Sequence, residues 1–364
     1  MVKRILIVIM LLLAGAAFAQ PQDWTMFRGS PGMTGQAGAL AKAPKLLWTY
    51  ESKSPIESTA AIIGNEVYVG TKDGELLALK LADGKLRWKF KAGGAISSSP
   101  CVVSNAVFFG DEDGNIYAVD RAKGKQLWKF RAEAKIISSP TPAPGVILIG
   151  SYDNHLYCLH AGSGKVKWKF KADAQVHCSP CVADGLVTIA GCDGKVRAID
   201  LQTGKQRSVA DVEGNFAAAP ASADGVAYVG SLLGDYLAVR AKDGKVLWDV
   251  SQGEESGACY ATAALTADAA IFASRAEKVV CLARKDGKTR WTFRLKGASD
   301  SSPVVSGGTI YVGSDEGVLY GLDLKSGKKV WQFTAGSEIK ASPAIARGRM
   351  VIGSGDGAVY CFGK

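Results

Sequence analysis

The sequence is poor in histidine and lacks both helical periodicity and an apolar stretch long enough to span a membrane. Three histidines among 364 residues leave little material for hydrolytic or acyl-transfer catalysis, and neither His155 nor His160 stands in a recognisable triad motif. The apolar run Ile5–Leu13 is shorter than the roughly 20 residues that a membrane-spanning helix needs. Because no 11-residue window repeats its apolar residues at helical spacing, we predict an all-β chain.

The charge balance is basic, but motifs that read nucleic-acid bases are absent. The formal net charge is +10 at pH 7. A surplus of this sign favours an acidic partner or anionic lipid headgroups, and without base-reading motifs we expect no nucleic-acid partner.

One short motif, Gly-Lys-x-x-Trp, recurs along the chain at steps of 40 residues, broken once by a step of 43. The full units stand at Gly84–Trp88, Gly124–Trp128, Gly164–Trp168, Gly244–Trp248, Gly287–Trp291 and Gly327–Trp331. A degenerate copy, Gly204–Ser208, has serine in the tryptophan position, and Lys45–Trp48 lacks the glycine. Self-similarity at this period is typical of a closed array or a solenoid.

Most units are followed by a Ser-Pro signature, a short apolar run that ends in a small residue, a turn such as Asp113-Gly114 and another apolar run. Thr59-Ala60, Ala219-Pro220 and Thr262-Ala263 replace Ser-Pro in three repeats. Four short runs separated by turn residues predict a four-stranded antiparallel meander. Forty residues per meander is the spacing of propeller blades. We therefore predict an eight-bladed β-propeller over residues 45–364. Since the last repeat stops after its third strand, the strand around Leu46–Tyr50 should complete the last blade and close the ring.

Two segments precede the array. Residues 1–19 have a basic start, an apolar stretch and the small-x-small pattern Ala17-Phe18-Ala19, which predicts a cleavable signal peptide. Residues 20–44 are rich in glycine and proline and should be irregular. Because Trp24, Phe27 and Arg28 are large, we expect this segment to pack over one end of the propeller rather than to form a binding loop.

The eight cysteines fall mostly in repeat positions that small residues fill elsewhere, which predicts buried thiols. Three thiols, Cys178, Cys192 and Cys259, do not fall in such positions. Because exported proteins can form disulfides, a disulfide between Cys178 and Cys192 is one alternative. Cys178 and Cys181 resemble a metal motif, but on one strand they would point to opposite faces, so we expect no metal site.

The repeat resembles a known family. Its signature is carried by Gly114-Asn115-Ile116-Tyr117-Ala118-Val119-Asp120 and Thr203-Gly204-Lys205. Together with the Ser-Pro and Val-Tyr-Val-Gly units, it is similar to the pyrroloquinoline-quinone-type (PQQ) propeller repeat, which is eight-bladed. The resemblance covers nearly all of residues 45–364. It implies a fold more than a function, since many members bind no quinone.

Two branches of that family differ in function. The dehydrogenases hold the quinone between a tryptophan and a disulfide of adjacent cysteines, with calcium beside it, whereas this sequence has no adjacent cysteines. Its short loops look like those of the propeller scaffold of outer-membrane β-barrel assembly (BamB), although the first cysteine, Cys101, is far from a lipid-anchor position. The resemblance favours a non-enzymatic periplasmic scaffold that binds an envelope protein or peptide without a cofactor. A PQQ-dependent oxidoreductase and a small-ligand or metal sensor are the alternatives.

Comparison of the repeats suggests where a partner binds. Nine residues after each tryptophan position, the residue type varies between charged, aromatic and small, in a loop that enters the first strand of a blade. These positions hold Glu57, Ser97, Ile137, His177, Ala217, Asp300 and Lys340; in the sixth repeat, which has three extra residues, Tyr260 takes this position when counted back from Thr262-Ala263. We predict a binding ring of Glu57, His177, Tyr260, Asp300 and Lys340, with Tyr152 and Arg275 in adjacent turns. The alternative is that they are solvated loop residues, which tolerate change.

The signal peptide makes the first testable prediction. Cleavage after Ala19 should release a periplasmic protein, because the small residues at positions 17 and 19 fit the signal peptidase. Mass spectrometry of the exported protein should find Gln20 at the N-terminus and no acyl chain. An uncleaved N-terminus in the membrane fraction would contradict this.

Overall fold

The computed structural model describes residues 23–251, 253 and 257–364, so the predicted signal peptide lies outside the described residues. Two strands precede the first complete blade, β1 (Gln36–Ala37) and β2 (Lys45–Glu51). Blades 1 to 4 comprise β3 (Ala61–Ile63), β4 (Glu66–Gly70), β5 (Glu75–Lys80) and β6 (Leu86–Lys91); β7 (Cys101–Val103), β8 (Ala106–Gly110), β9 (Asn115–Asp120) and β10 (Gln126–Arg131); β11 (Thr141–Ala143), β12 (Val146–Gly150), β13 (His155–His160) and β14 (Val166–Lys171); and β15 (Cys181–Ala183), β16 (Leu186–Ala190), β17 (Lys195–Asp200) and β18 (Gln206–Asp211).

The remaining strands build blades 5 to 8. They are β19 (Ala221–Ala223), β20 (Val226–Gly230), β21 (Tyr236–Arg240) and β22 (Lys245–Val250); β23 (Ala264–Leu265), β24 (Ala269–Ser274), β25 (Lys278–Ala283) and β26 (Thr289–Arg294); β27 (Val304–Ser306), β28 (Thr309–Gly313), β29 (Val318–Asp323) and β30 (Lys329–Thr334); and β31 (Ala344–Ala346), β32 (Arg349–Gly353) and β33 (Ala358–Gly363). Among the described residues no helix is long and apolar enough to cross a membrane.

The blades form a closed ring, which confirms the eight-bladed propeller. Each blade is an antiparallel meander whose first strand contacts the first strands of its neighbours, and β3 contacts both β7 and β31. The predicted closure is present, because β2 pairs antiparallel with β33 from Lys45 opposite Gly363 to Glu51 opposite Ala358. This pairing gives the last blade its fourth strand and removes the free edges that an open array would expose.

The Gly-Lys-x-x-Trp unit joins neighbouring blades. The indole N–H of Trp128 donates to the carbonyl oxygen of Ala161 in the next blade at 2.8 Å. Gly164 of that blade lies against the indole ring of Trp128. It has a φ of +68°, and a Cβ there would come within 2.6 Å of that indole. Glycine is therefore required for both its left-handed backbone and its lack of a side chain. The same indole-to-carbonyl bond recurs for Trp48, Trp88, Trp168, Trp248 and Trp291.

A ring of hydroxyl hydrogen bonds joins the blades near the axis. The backbone N–H of Thr59 donates to the Ser99 hydroxyl at 3.0 Å, and the N–H of Ser99 donates to Ser139 in the same way. Equivalent bonds, 2.9 to 3.2 Å long, involve Ser139, Ser179, Thr262, Ser302, Ser342 and Thr59. Blade 5 has Ala219 in this position. The serine of each Ser-Pro signature thus satisfies a buried N–H group of the preceding blade.

The outermost strands depart from the strict alternation that the sequence pattern suggests. Trp88 is half-buried, but Leu86, two residues earlier, is 41% exposed. The reason is a bulge in β6, where Leu86 pairs with Leu79 and Trp88 pairs with Ala78, so that Arg87 is an extra residue. A bulge shifts the alternation by one residue, and one face of this strand is therefore not continuously buried.

Residues 23–44 lie across the axis against the innermost strands. Trp24 and Arg28 are almost fully buried, and Asp23 contacts Gly64 and Arg347 in the turns that follow the first strands of two blades. Backbone N–H groups of the inner strands donate to this segment, from Ile62 to Trp24, Val102 to Thr25, Val182 to Pro31, Ser222 to Gly32, Leu265 to Thr34 and Val305 to Gly35. The segment therefore satisfies inner-strand groups that would otherwise line the channel.

The tryptophan contact between blades predicts that two substitutions at equivalent positions lower the free energy of unfolding by different amounts. Trp128→Ala should lower the free energy of unfolding by about 3 kcal/mol, because it removes a large packed side chain and its hydrogen bond. Ser208→Ala at the equivalent position removes one hydroxyl hydrogen bond and should cost about 1 kcal/mol. Chemical denaturation followed by fluorescence measures both. Equal costs would show that the tryptophan does not hold the blades together.

Candidate functional site

The variable positions of the repeat meet around one cavity on the axis. The cavity has a volume of about 340 Å³ and opens on the face where the chain enters each first strand. Its wall contains the residue at the variable loop position of all eight repeats, including the candidates Glu57, His177, Tyr260, Asp300 and Lys340, together with Arg275. Phe27, from the segment that crosses the axis, also lines it. The structure therefore brings the candidate residues together, and Tyr152 joins them through a contact with His177.

The preceding residue in each loop anchors these side chains. It is buried between blades: Ile96, for example, contacts Gly70 so closely that a Cβ on the glycine would lie 2.2 Å from it. The equivalent buried residues are Ile56, Ile136, Val176, Phe216, Cys259, Ser299 and Ile339. Because this side chain points into the core, the next one points towards the axis, which makes the ninth position free to vary.

A second ring of side chains surrounds the mouth, in the turns between second and third strands. Each of its residues donates its backbone N–H to the incoming loop of its own blade, as Tyr152 does to Lys135 at 3.1 Å. The positions are Lys72, Glu112, Tyr152, Cys192, Leu232, Arg275, Asp315 and Gly355. The sequence interpretation named only Tyr152 and Arg275 here. Alignment of the repeats 24 residues after the tryptophan position would have found the others.

Ion pairs link the two rings over blades 6 to 8 and 1 to 2. Arg275 binds both carboxylate oxygens of Asp300, at 2.8 and 2.7 Å, and lies 4.1 Å from the ring centre of Tyr260. Further round the same side of the mouth, Lys72 of blade 1 bridges Glu57 at 3.2 Å and Glu112 at 2.6 Å. The bidentate geometry fixes the arginine plane, as expected of an arginine–carboxylate pair.

The charged side chains over blades 6 to 8, 1 and 2 affect one another's protonation. Burial and the neighbouring charge of Asp300 raise the pKa of Asp315 above its usual value. Burial acts to lower the pKa of Lys72, but the hydrogen bond to Glu112 and the charge of Glu57 outweigh it and raise that pKa. Lys72 consequently stays charged at neutral pH, while Asp315 has a weaker preference for the charged form.

Over blades 3 to 5 the inner ring has no charged side chain, although the Lys135 ammonium lies 4.4 Å from the centre of the Tyr152 ring at the mouth. This part of the mouth contains Ile137 and Ala217 in the inner ring, and Leu233, beside the outer ring, is 52% exposed. His177 lies between them, and its Nδ1 is 2.5 Å from the Tyr152 hydroxyl. An inner ring with apolar residues on one side and charged residues on the other suits an amphipathic ligand.

The cysteines near the site are free thiols in this structure. The Cys178 sulfur accepts a hydrogen bond from the N–H of Ala190 at 3.4 Å, in the position where Ser98 accepts from Gly110 in blade 2. Cys192 donates to the carbonyl oxygen of Phe216 at 3.6 Å. Cys178 thus replaces a structural serine. Among the described residues, no three His, Cys, Asp or Glu side chains are grouped as a metal site requires.

Comparison with known proteins gives the family. The family model described as "Outer membrane protein assembly factor BamB" matches residues 34–145, 112–275 and 275–363, and so spans nearly all of the propeller. The chain belongs to this family. No curated protein matches it.

Solved structures of BamB and of quinoproteins share the BamB-family fold. BamB from Moraxella catarrhalis superposes with a TM-score of 0.77 at 17% identity, covering 88% of this chain and 100% of that one. Quinohemoprotein alcohol dehydrogenase from Comamonas testosteroni gives 0.82 at 13% identity, with 96% of this chain and 81% of that chain covered. A europium-containing methanol dehydrogenase gives 0.80 at 13%, covering 95% and 98%. At these identities the likeness shows the fold alone.

The axial cavity of this BamB-family chain does not fit the quinone site that the PQQ-type resemblance implies. Its described lining residues include neither a tryptophan nor a pair of adjacent cysteines. The aromatic side chains present are Phe27 and Tyr260, and Arg275 already lies on the Tyr260 ring. A quinone held between an indole and a disulfide therefore has no counterpart among these residues.

The environment of His177 predicts a pH dependence. Burial, with a smaller contribution from the charge of Lys135, lowers the pKa of His177 below its usual 6.5. The unfolded chain therefore binds a proton at this histidine more readily than the folded chain does. The contribution of neutral His177 to the free energy of unfolding is fully present above pH 6.5 and is lost as the pH falls through the lowered pKa. Thermal denaturation of wild type and His177→Gln at pH 7.5 and 5.5 should show a larger loss for wild type. Equal losses would contradict the buried neutral imidazole.

Proposed function

We propose that this BamB-family propeller is a non-enzymatic periplasmic scaffold that binds a segment of a cell-envelope protein over its axial cavity. The family description, an outer membrane protein assembly factor, supports a partner of this kind. The predicted signal peptide supports the location, because it would deliver the chain to the compartment where such proteins assemble.

The proposal rests on one loop position, the ninth after the tryptophan position, whose residue type differs from blade to blade although the blades are otherwise alike. The position before the ninth residue is buried between blades in every repeat, and the position two after it supplies the hydroxyl ring in every blade but blade 5. The ninth position instead changes from Ile137 and Ala217 on one side of the cavity to Asp300 and Lys340 on the other. Packing and closure do not require this variation, whereas recognition of an amphipathic segment does.

The charged groups of the cavity are engaged with each other, which supports binding rather than catalysis. Asp300 is held by Arg275, and both Glu57 and Glu112 are held by Lys72. A general base needs a free lone pair within reach of a substrate proton. Preformed ion pairs at the mouth of the axial cavity instead provide fixed hydrogen-bond donors and acceptors for the polar side of a partner. They also disfavour partners whose charges are not complementary to them.

The binding face can be tested by a triple substitution. A partner captured by the mature protein from an envelope extract should bind the variant Tyr260→Ala, Asp300→Ala and Lys340→Ala more weakly by more than about 1 kcal/mol, as truncation of interface anchors does. Isothermal titration calorimetry with the purified partner measures the difference.

A matched triple variant on the outer strands, Leu127→Ala, Lys129→Ala and Lys169→Ala, should bind as wild type. Unchanged affinity in the folded axial variant, with loss in the outer one, would move the site to the basic rim. Stoichiometric retention of PQQ with calcium after desalting would instead favour the oxidoreductase.

A further inference from the structure

An aromatic pair lies between neighbouring blades at four of the junctions. The second strand of the blade supplies a tyrosine or phenylalanine, and the fourth strand supplies the tryptophan. The pairs and the separations of their ring centres are Tyr68–Trp88 at 5.7 Å, Phe108–Trp128 at 5.7 Å, Tyr228–Trp248 at 5.8 Å and Tyr311–Trp331 at 6.0 Å. These rings fill the space between the blades.

Blade 4 has lost both rings. Thr188 stands where blade 1 has Tyr68, and Ser208 stands where it has Trp88. The Ser208 hydroxyl keeps the bond to the next blade and donates to the carbonyl oxygen of Ala241 at 2.5 Å. The blades thus remain joined without the two aromatic side chains, and the Val209 backbone lies against Gly244 where other blades place the indole.

A cavity of about 320 Å³ lies at this junction, which we call the seam cavity. Its wall is formed by Ala183, Asp184, Leu186, Thr188, Ser222, Asp224, Gly225, Arg240, Ala241 and Lys242. The seam cavity opens in the turns that follow the first strands of blades 4 and 5, where Asp184 and Asp224 are exposed, and beside the exposed Lys242 in the turn after the third strand of blade 5. It therefore lies on the opposite face from the axial cavity.

The tyrosine of blade 1 shows what fits this space. The Tyr68 hydroxyl donates to Glu66 at 2.6 Å and reaches the carbonyl oxygen of Arg121 at 3.4 Å. In blade 4, Thr188 is equivalent to Tyr68 and Leu186 is equivalent to Glu66. In blade 5, Ala241 is equivalent to Arg121. All three line the seam cavity. The space that a phenol ring occupies in blade 1 is therefore the space left open in blade 4.

The hydrogen bond of that phenol also has a counterpart. In blade 1 the carbonyl oxygen of Arg121 accepts from both the Trp88 indole, at 3.0 Å, and the Tyr68 hydroxyl. In blade 4 the carbonyl oxygen of Ala241 accepts from Ser208. A carbonyl oxygen has two lone pairs, so Ala241 can accept a phenolic hydroxyl as Arg121 does.

We propose that the seam cavity is a binding site for a phenol ring, supplied either by a small phenolic molecule or by a tyrosine side chain of a polypeptide. The size is sufficient, because a cavity of roughly 150 Å³ is enough to hold benzene. The ring would lie on Leu186 and Ala183, with its hydroxyl directed to Ala241. The site is independent of the axial cavity and of the function proposed for it.

The test uses p-cresol as the probe and a substitution that restores the missing ring. Thr188→Tyr should fill the seam cavity, raise the melting temperature and lower the affinity for p-cresol by about tenfold or more in calorimetric titration. Thr188→Val keeps the cavity open and should retain the affinity of wild type. Equal affinity of wild type and Thr188→Tyr, or the absence of saturable binding to wild type, would overturn the proposal.

A second measurement keeps the test valid if Thr188→Tyr does not fold. Nuclear Overhauser contacts in wild type should connect p-cresol to the methyl groups of Thr188, Ala183 and Ala241, and contacts confined to other methyl groups would overturn the site. A tripeptide with a central tyrosine distinguishes the two sources. Affinity equal to that of p-cresol identifies a polypeptide, whereas binding of p-cresol without the peptide identifies a small phenol.

Discussion

The contact between a tryptophan and the glycine of the next blade is the interaction on which this propeller depends. Six indoles donate their N–H to a carbonyl oxygen of the following blade, and a glycine of that blade lies against each of these six rings. A hydrogen bond and close packing are thus combined in a single side chain, whose partner position tolerates only glycine. Repetition of this contact, together with the hydroxyl ring at the axis, sets the blade spacing and leaves other positions free to vary.

That freedom explains where the functional candidates lie. A residue that holds neighbouring blades together is nearly constant around the ring, whereas a residue beyond that constraint can differ in every blade. The axial cavity is built from such residues, and so is the second ring around its mouth. The junction between blades 4 and 5 is a different case, because Ser208 and Thr188 depart at positions that packing does constrain.

Most of the fold could be predicted because the repeat places the same residue types in the same positions eight times. The closure by β2 followed from a tryptophan strand without a blade of its own. The path of residues 23–44 could not be predicted, since it is fixed by backbone hydrogen bonds to the inner strands, which leave no side-chain pattern. The bulge at Arg87 was missed for a similar reason, because a bulge changes the pairing and not the residue types.

The candidate site could be predicted in position but not in its interactions. The ninth residue of each repeat was recognisable by its variation, and the structure places all eight around one cavity. The pairing of Lys72 with Glu112 and the contact of Tyr152 with His177 join different blades, so their geometry depends on the ring and not on the repeat. Spacing within a repeat carries no information about such contacts.

Hydrogen–deuterium exchange of the mature protein, with and without its envelope partner, tests the account most directly. Binding over the axial cavity should slow exchange in the loops around residues 55–59, 257–262, 298–302 and 338–342, because a bound segment shields their backbone N–H groups. Exchange in the outer strands β6, β10 and β14 should not change. Protection confined to those outer strands, with the axial loops unaffected, would contradict a binding site on the axis.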